Sequence, residues 1–289
     1  MARKIVITSG KGGVGKTTVV ANLGIKLASM GYKVVMLDID IGLNNLDVVM
    51  GIENKVVYDI CDVIEGKCRV RQALVQDFRV NSLFVLPSNH IYSNTAITSY
   101  SIKDIVDDLA ESFDFVLIDC PAGIDNGFHR AVFCADEAIV VATPHLSSIR
   151  DADKVLTILS AYNLSSIGFV INRVRGDLIM NGEMIDVDNI CSLLKAKFLG
   201  VVPDDDVVAT TCYLGLNRSD GDRAFSILAR NIAENRNDIY NYLSKYKGII
   251  GSFRRAIRKK VWEYITKQVK AFIGWKMSLF QINSSIRSK

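Results

Sequence analysis

The stretch Gly10-Lys11-Gly12-Gly13-Val14-Gly15-Lys16-Thr17-Thr18 has the residue types and spacing to bind a chain of phosphates. It fits the phosphate-loop pattern G-x-x-x-x-G-K-[ST] and carries an additional lysine at its second position. Its glycines let successive backbone N–H groups turn toward one point, where a helix starting near Lys16 adds the positive end of its dipole. Lys16 is placed to contact the β and γ phosphates of a nucleoside triphosphate, and the Thr17 hydroxyl is placed to ligate Mg²⁺. Carboxylates follow two apolar runs elsewhere. Val34-Val35-Met36-Leu37 leads into Asp38-Ile39-Asp40, two acids two residues apart that share a face if the strand continues that far. Phe115-Val116-Leu117-Ile118 leads into Asp119-Cys120-Pro121-Ala122-Gly123. A carboxylate at Asp119 can hold Mg²⁺ through water, and Gly123 can place a backbone N–H near a γ-phosphate. Thr17, Asp38 and Asp119 are therefore the candidate metal ligands.

Positioning these groups requires strands that end at one edge. Lys4 to Thr8 is short, apolar and β-branched, and Thr17 to Met30 shows helical apolar spacing at Val20, Leu23, Leu27 and Met30, so the loop joins strand to helix. Further strands are predicted at 33–37, 83–86, 115–118, 138–142, 168–171 and 200–202, and helices at 102–111, 149–162, 187–197 and 224–243. Runs that are apolar almost throughout suit strands covered on both faces. The alternation implies an α/β fold, a mostly parallel central sheet flanked by helices on both faces, with ligands at the carboxyl ends of the strands.

Taken together, the boxes resemble the MinD/ParA family of P-loop ATPases with a deviant Walker A motif. Lys11-Gly12-Gly13-Val14-Gly15-Lys16-Thr17 resembles that motif, Asp38 to Asp47 is similar to the MinD-type switch I (D-x-D-x-G-L-x-N-L-D), and Asp119-Cys120-Pro121-Ala122-Gly123 to its switch II. The resemblance implies ATP and Mg²⁺ as ligands, and a Lys11 that crosses a homodimer interface to the partner's phosphates. It also implies an Asp40 that helps position the attacking water and an Asp119 that supports the metal. Asn172-Arg173 and Pro203-Asp204-Asp205 resemble the base-binding positions. At Asn172 an amide presents both a donor and an acceptor to adenine's edge, and a plain loop asparagine is the competing reading. Ser147-Ser148-Ile149-Arg150-Asp151-Ala152-Asp153 is similar to a helix start that lies, in the MinD branch, near a surface used by regulators. There His145 replaces the usual acidic residue. The resemblance covers about residues 2 to 261.

Composition divides the chain unevenly. Its 289 residues are 49% hydrophobic with four prolines, enough to bury a large core. From Lys245 to Lys289 there are twelve Lys/Arg and one acid, a net of +11, which leaves residues 1–244 with 23 against 30, a net of −7. An acidic body carries a basic tail. Within the tail Ile249, Ile250, Phe253, Ala256, Ile257 and Val261 share one side of a helical wheel, Arg255, Arg258 and Lys259 lie opposite, and Arg254 flanks the boundary. This is the pattern of a helix lying in a membrane interface. Three parts are expected: an ATPase domain over 1–246, an amphipathic membrane-targeting helix over 247–261, and a basic, aromatic extension over 262–289. No secretory leader or membrane span is predicted. The six cysteines form no C-x-x-C pair and read as reduced, buried thiols.

The function implied by the resemblance is an ATPase that dimerises with ATP and binds anionic lipids on the cytoplasmic face of the cell membrane, or the stromal face of a plastid envelope. Such a protein places the division site, with a MinC-like inhibitor and a MinE-like activator as partners and no specific nucleic acid. A ParA-like DNA-partitioning ATPase is the first alternative, disfavoured by the acidic body and apolar tail stripe. A flagellar-placement ATPase is another, expected to carry a longer segment before its phosphate loop. A cluster-carrying relative would need paired cysteines of suitable spacing.

Overall fold

A computed structural model describes residues 2–41, 45–88, 97–210 and 219–248, with 251, 252 and 256. The chain runs β1 (Arg3–Thr8), α1 (Lys16–Ser29), β2 (Val34–Asp38), α2 (Leu46–Met50), α3 (Ile60–Ile64), α4 (Val70–Ala73), β3 (Val75–Gln76), β4 (Leu83–Leu86), α5 (Ser99–Ala110) and β5 (Phe115–Asp119). It continues through α6 (Asn126–Phe133), β6 (Glu137–Ala142), α7 (Leu146–Leu159), β7 (Ser166–Val174), α8 (Gly176–Met180), α9 (Val187–Leu193), β8 (Lys197–Pro203), α10 (Asp206–Thr210) and α11 (Asp220–Glu234). Among the described residues the strands form one sheet in the order β3-β4-β2-β5-β1-β6-β7-β8, parallel except for the β3–β4 pair. This is the expected fold class.

Alternation along the central strands explains the two helical layers. Ile5 and Ile7 of β1, Val34 and Met36 of β2, and Phe115 and Leu117 of β5 face one core, which they share with Val19, Leu23 and Leu27 of α1 and Phe225 and Leu228 of α11. Val6, Val35, Leu37, Val116 and Ile118 face the other, with Ile102 and Ile105 of α5, Phe128 of α6 and Ile149 and Val155 of α7. Because β2 and β5 are buried throughout and lie side by side in register, Asp38 stands beside Asp119 where both strands end.

The helix expected over 149–162 is shifted to Leu146–Leu159, and two others stop well before their periodicity predicts. The helix expected over 224–243 ends at Glu234, because Asn235 takes a left-handed conformation (φ 54°) and caps it. The one expected over 187–197 ends at Leu193, and Lys197 opens β8 by pairing with Gly168. Short elements such as β3, α8 and α10 carry too few residues for a periodic signal. Most of 247–261, and all of 262–289, lie outside the described residues.

Phe169 is fully buried in β7, its ring 5.3 Å from Phe198. Phe169→Ala is expected to cost about 3–5 kcal/mol, read as a lower denaturant midpoint at unchanged slope.

Candidate functional site

Where β1 ends, the chain enters the phosphate loop and then α1. Gly15 caps the helix with φ 95° and ψ 33°, a left-handed conformation that a Cβ would strain, and no side chain caps the helix amides. Those N–H groups are thus available to an anion at the positive end of the helix dipole. Neighbouring elements press on the loop from two sides. A Cβ on Gly10 would lie 2.5 Å from the Asp151 carbonyl oxygen of α7, and one on Gly15 would lie 2.5 Å from Asn172 Nδ2. Inside, the Ser9 hydroxyl donates to the Lys11 carbonyl at 2.8 Å. Lys16 is buried at the first turn of α1, whereas Lys11, Gly12 and Gly13 are exposed. The two lysines of the motif therefore have different surroundings, one buried at the start of α1 and one exposed.

Asp119 and Asp40 both feel the charge of Lys16, and Asp38 stands beside Asp119. Asp119 is buried, bonded by the Thr17 hydroxyl, and its Oδ1 has no hydrogen-bond partner. Burial, followed by the charge of Asp38, pushes its carboxyl up to about 8, against the pull of Thr17 and Lys16. A buried carboxylate oxygen without a partner is costly unless something cationic meets it. Thr17 and Asp119 together fit a hard divalent cation such as Mg²⁺. Asp38 is used differently from expectation. Its carboxylate accepts the amides of Asp40 (2.9 Å), Asn45 (3.1 Å) and Leu46 (3.1 Å), so it organises the loop and the start of α2 rather than offering free oxygens to a metal. Burial still raises it to about 6, outweighing those amides. Asp40 does not continue the strand. β2 stops at Asp38, and Asp40 is a half-buried loop residue raised by burial, lowered by Lys16 and raised by Asp125.

The second loop and the base end also depart in detail. Gly123 has the left-handed φ (94°) its place requires, but its N–H donates to the Ser9 carbonyl at 3.2 Å. Asn172 does not reach outward along its strand. A bulge between β7 and β8, with Arg173 at φ 58°, turns its amide back so that Nδ2 donates to the Val14 carbonyl at 2.9 Å. Asn172 thus braces the phosphate loop. Pro203 closes β8 opposite Val174. Asp205 accepts the amides of Val207 (2.9 Å) and Gly221 (2.8 Å); burial raises its carboxyl, and these amides, Ser219 and Lys245 bring it below the ordinary range. Thr18 lies on the first turn of α1, its carbonyl accepting the Asn22 amide at 2.8 Å.

Three residues contribute in ways the motifs did not show: Ser9, which links the two phosphate-side loops; Asp151, within the 147–153 stretch, whose backbone packs on Gly10; and Asp125, whose carboxylate caps α6 through Gly127 and Phe128 and bears on Asp40. Asp125 stands directly before Asn126-Gly127 and was legible as an N-cap; the contacts of the other two are long-range. Ile249, Ile250, Phe253, Arg254, Arg255, Ile257, Arg258, Lys259 and Val261, the predicted membrane face, lie outside the described residues, as do Gly42, Leu43 and Asn44. Among the described residues no helix is long and apolar enough to cross a membrane, and the five described cysteines are unbridged.

Residues 5–213 match the family described as the CobQ/CobB/MinD/ParA nucleotide binding domain. The chain is 48% identical over 237 residues to the septum site-determining protein MinD of Bacillus subtilis, covering 81% of this chain and 88% of that one. Its fold is similar to a chain of the MinC:MinD cell division protein complex of Aquifex aeolicus, with a TM-score of 0.77 and 38% identity over 83% of this chain and 99% of that one. It is also similar to septum site-determining MinD complexed with Mg-ADP from Pyrococcus horikoshii, with a TM-score of 0.73 and 31% identity over 81% and 97% of the two chains.

Asp119 and Asp38 both ionise at higher pH in the folded protein than the usual 3.8. The folded state then holds protons that the unfolded chain has released. Their stabilisation is complete below the unfolded value and is lost as pH rises, through about 6 for Asp38 and about 8 for Asp119. With metal removed by chelation and nucleotide by dialysis, the denaturant midpoint is expected to fall as pH rises through these two values, and Asp119→Asn to flatten the upper part of that fall. An Asp119→Asn profile as steep as the wild type would contradict this assignment.

Proposed function

The chain belongs to the CobQ/CobB/MinD/ParA nucleotide-binding family, and we propose that it hydrolyses ATP with Mg²⁺ to control where a cell or plastid places its division site. One observation carries this reading: Lys16, Thr17 and Asp119 converge at the amino end of α1, and the buried Oδ1 of Asp119 has no protein partner. The relatives supply the biological end-point, since those matched at nearly half identity are septum site-determining MinD proteins.

The geometry suggests how the residues divide the work. Backbone amides from Gly12 to Thr18 would hold the phosphates, Gly10 would let α7 lie against the loop, and Lys16 would neutralise charge between the β and γ groups. Thr17 and Asp119 would hold Mg²⁺, which supplies further neutralisation of the phosphate oxygens. Asp40, half-buried and within the field of Lys16, would orient the attacking water. Gly123 would exchange its bond to Ser9 for one to the γ-phosphate, giving the switch II loop two positions. Lys11, exposed at the mouth, would cross to the phosphates of a second copy, so that dimerisation completes the site and raises turnover.

Dimerisation would also govern location. A single short amphipathic anchor binds membranes marginally, whereas two on one dimer gain avidity of roughly 10²–10⁴. The basic run over 247–261 would then attach the ATP-bound dimer to anionic lipid on the cytoplasmic face of the membrane and release it after hydrolysis. A division inhibitor, as in the MinC:MinD complex of Aquifex aeolicus, would bind the dimer, and a MinE-like activator would stimulate hydrolysis.

Co-sedimentation with anionic liposomes tests this most directly. Full-length protein with ATP is expected in the pellet, and protein with ADP, or truncated after Tyr246, in the supernatant. Nucleotide-dependent DNA binding without lipid binding would favour a partitioning role instead. Lys16→Ala should reduce hydrolysis by about 10²-fold or more. Lys11→Ala should retain nucleotide binding in the monomer yet lose ATP-dependent dimerisation, measured by light scattering.

A further inference from the structure

Ser9 stands between the end of β1 and the phosphate loop, fully buried, and it holds two segments at once. Its backbone carbonyl accepts the Gly123 amide at 3.2 Å, which ties down the loop after β5. Its hydroxyl donates to the Lys11 carbonyl at 2.8 Å. Among the described residues this is the one hydrogen bond that Lys11 makes, and its ammonium has no ion pair there.

The covalent chain does little to fix Lys11. It lies between Gly10 and Gly12, and Gly13 follows with φ 77°, so the backbone on both sides of it has the wide torsional freedom of glycine. Packing acts on the neighbours instead. Gly10 lies against the backbone of Asp151 in α7, and a Cβ on Gly12 would stand 3.9 Å from that of Ala122 in the loop after β5. Lys11 itself is exposed, with its charge on a flexible four-carbon stem. Ordering such a residue at the moment of contact opposes the contact, and a peptide held beforehand removes part of that cost. Ser9 is well suited to hold it, because water has no access to its hydroxyl to compete for the bond.

We propose that Ser9 is a positioning residue for Lys11: its hydroxyl fixes the Lys11 peptide in the orientation from which the side chain reaches the phosphates of a second copy. This rests on the crossing-lysine reading above and extends it to a residue outside the phosphate-loop pattern. Ser9 touches no phosphate in this role and acts through Lys11. Its effect belongs to dimerisation, since the groups that would hold the nucleotide in one copy, Lys16 and the amides from Gly12 onward, take no bond from the Ser9 hydroxyl. Each copy makes the bond, so a dimer has two lysines held in advance.

Full-length protein with Mg²⁺ and a non-hydrolysable ATP analogue tests this by analytical ultracentrifugation, with ADP affinity measured on the monomer by calorimetry. Ser9→Ala removes the hydroxyl and leaves the carbonyl that holds Gly123. It is expected to weaken dimerisation by about 10- to 100-fold, the loss of one ordinary hydrogen bond in each copy, with ADP affinity at the wild-type level. In single-turnover hydrolysis of ATP, Ser9→Ala should lower the wild-type rate but leave the Lys11→Ala rate where it stands, because the two changes break one interaction. Undiminished dimerisation of Ser9→Ala would overturn the proposal. A matching loss of ADP affinity, the mark of a distorted phosphate loop, would do the same, as would a further loss of rate on adding Ser9→Ala to Lys11→Ala. Wild-type dimerisation of Lys11→Ala would instead overturn the crossing-lysine reading on which the proposal stands.

Discussion

The groups at the phosphate side of this protein gather around two buried carboxylates that their own neighbours answer unequally. β2 and β5 are apolar until their last residues, and their parallel register sets Asp38 and Asp119 side by side in the interior. Two carboxylates in that position repel each other and lose hydration, so each must be answered. Asp38 is answered by three backbone amides, which pin the loop after β2. Asp119 is answered only by Thr17 and the nearby Lys16. The asymmetry divides the labour: one carboxylate shapes the protein, and the other keeps an oxygen for a cation.

That division makes the phosphate loop a meeting place for distant elements. α7 touches it at Gly10, β7 supports it through Asn172 and Val14, and the loop after β5 hangs on Ser9 through Gly123. Each contact is a backbone group or a short polar bond, the kind that exchanges readily when a charged ligand offers stronger partners. A ligand that draws the Gly123 amide away from Ser9 therefore moves one loop without disturbing either core. The cores stay rigid because strands buried on both faces leave their side chains no alternative packing.

The carboxyl ends of β7 and β8 serve a second purpose. The same edge also seats residues 236–248, through Gly176, Asp186 and Asp220. An acidic body meets the first residues of a basic tail there, and Lys245 is already paired with an acid of the body.

Local chemistry was enough to read much of this from the chain. Continuous apolar runs ending in aspartate can be little other than buried parallel strands, and the phosphate loop needs glycine and lysine at fixed intervals for steric and electrostatic reasons that act within nine residues. The sheet, both helical layers and the set Lys16, Thr17 and Asp119 followed from that. The folded backbone decided the rest. Asp38 turned from metal to backbone because the chain after it folds over its carboxylate, and Asn172 turned from base to loop because a bulge reversed its side chain. The helix after Ala224 stopped at Asn235 although apolar residues continue at helical spacing, because a left-handed cap is a local choice that periodicity does not record. Side-chain type and spacing determine which groups arrive at an edge; which way each one then points depends on partners that spacing does not name, the amides of the following loop for Asp38 and the distant Val14 carbonyl for Asn172.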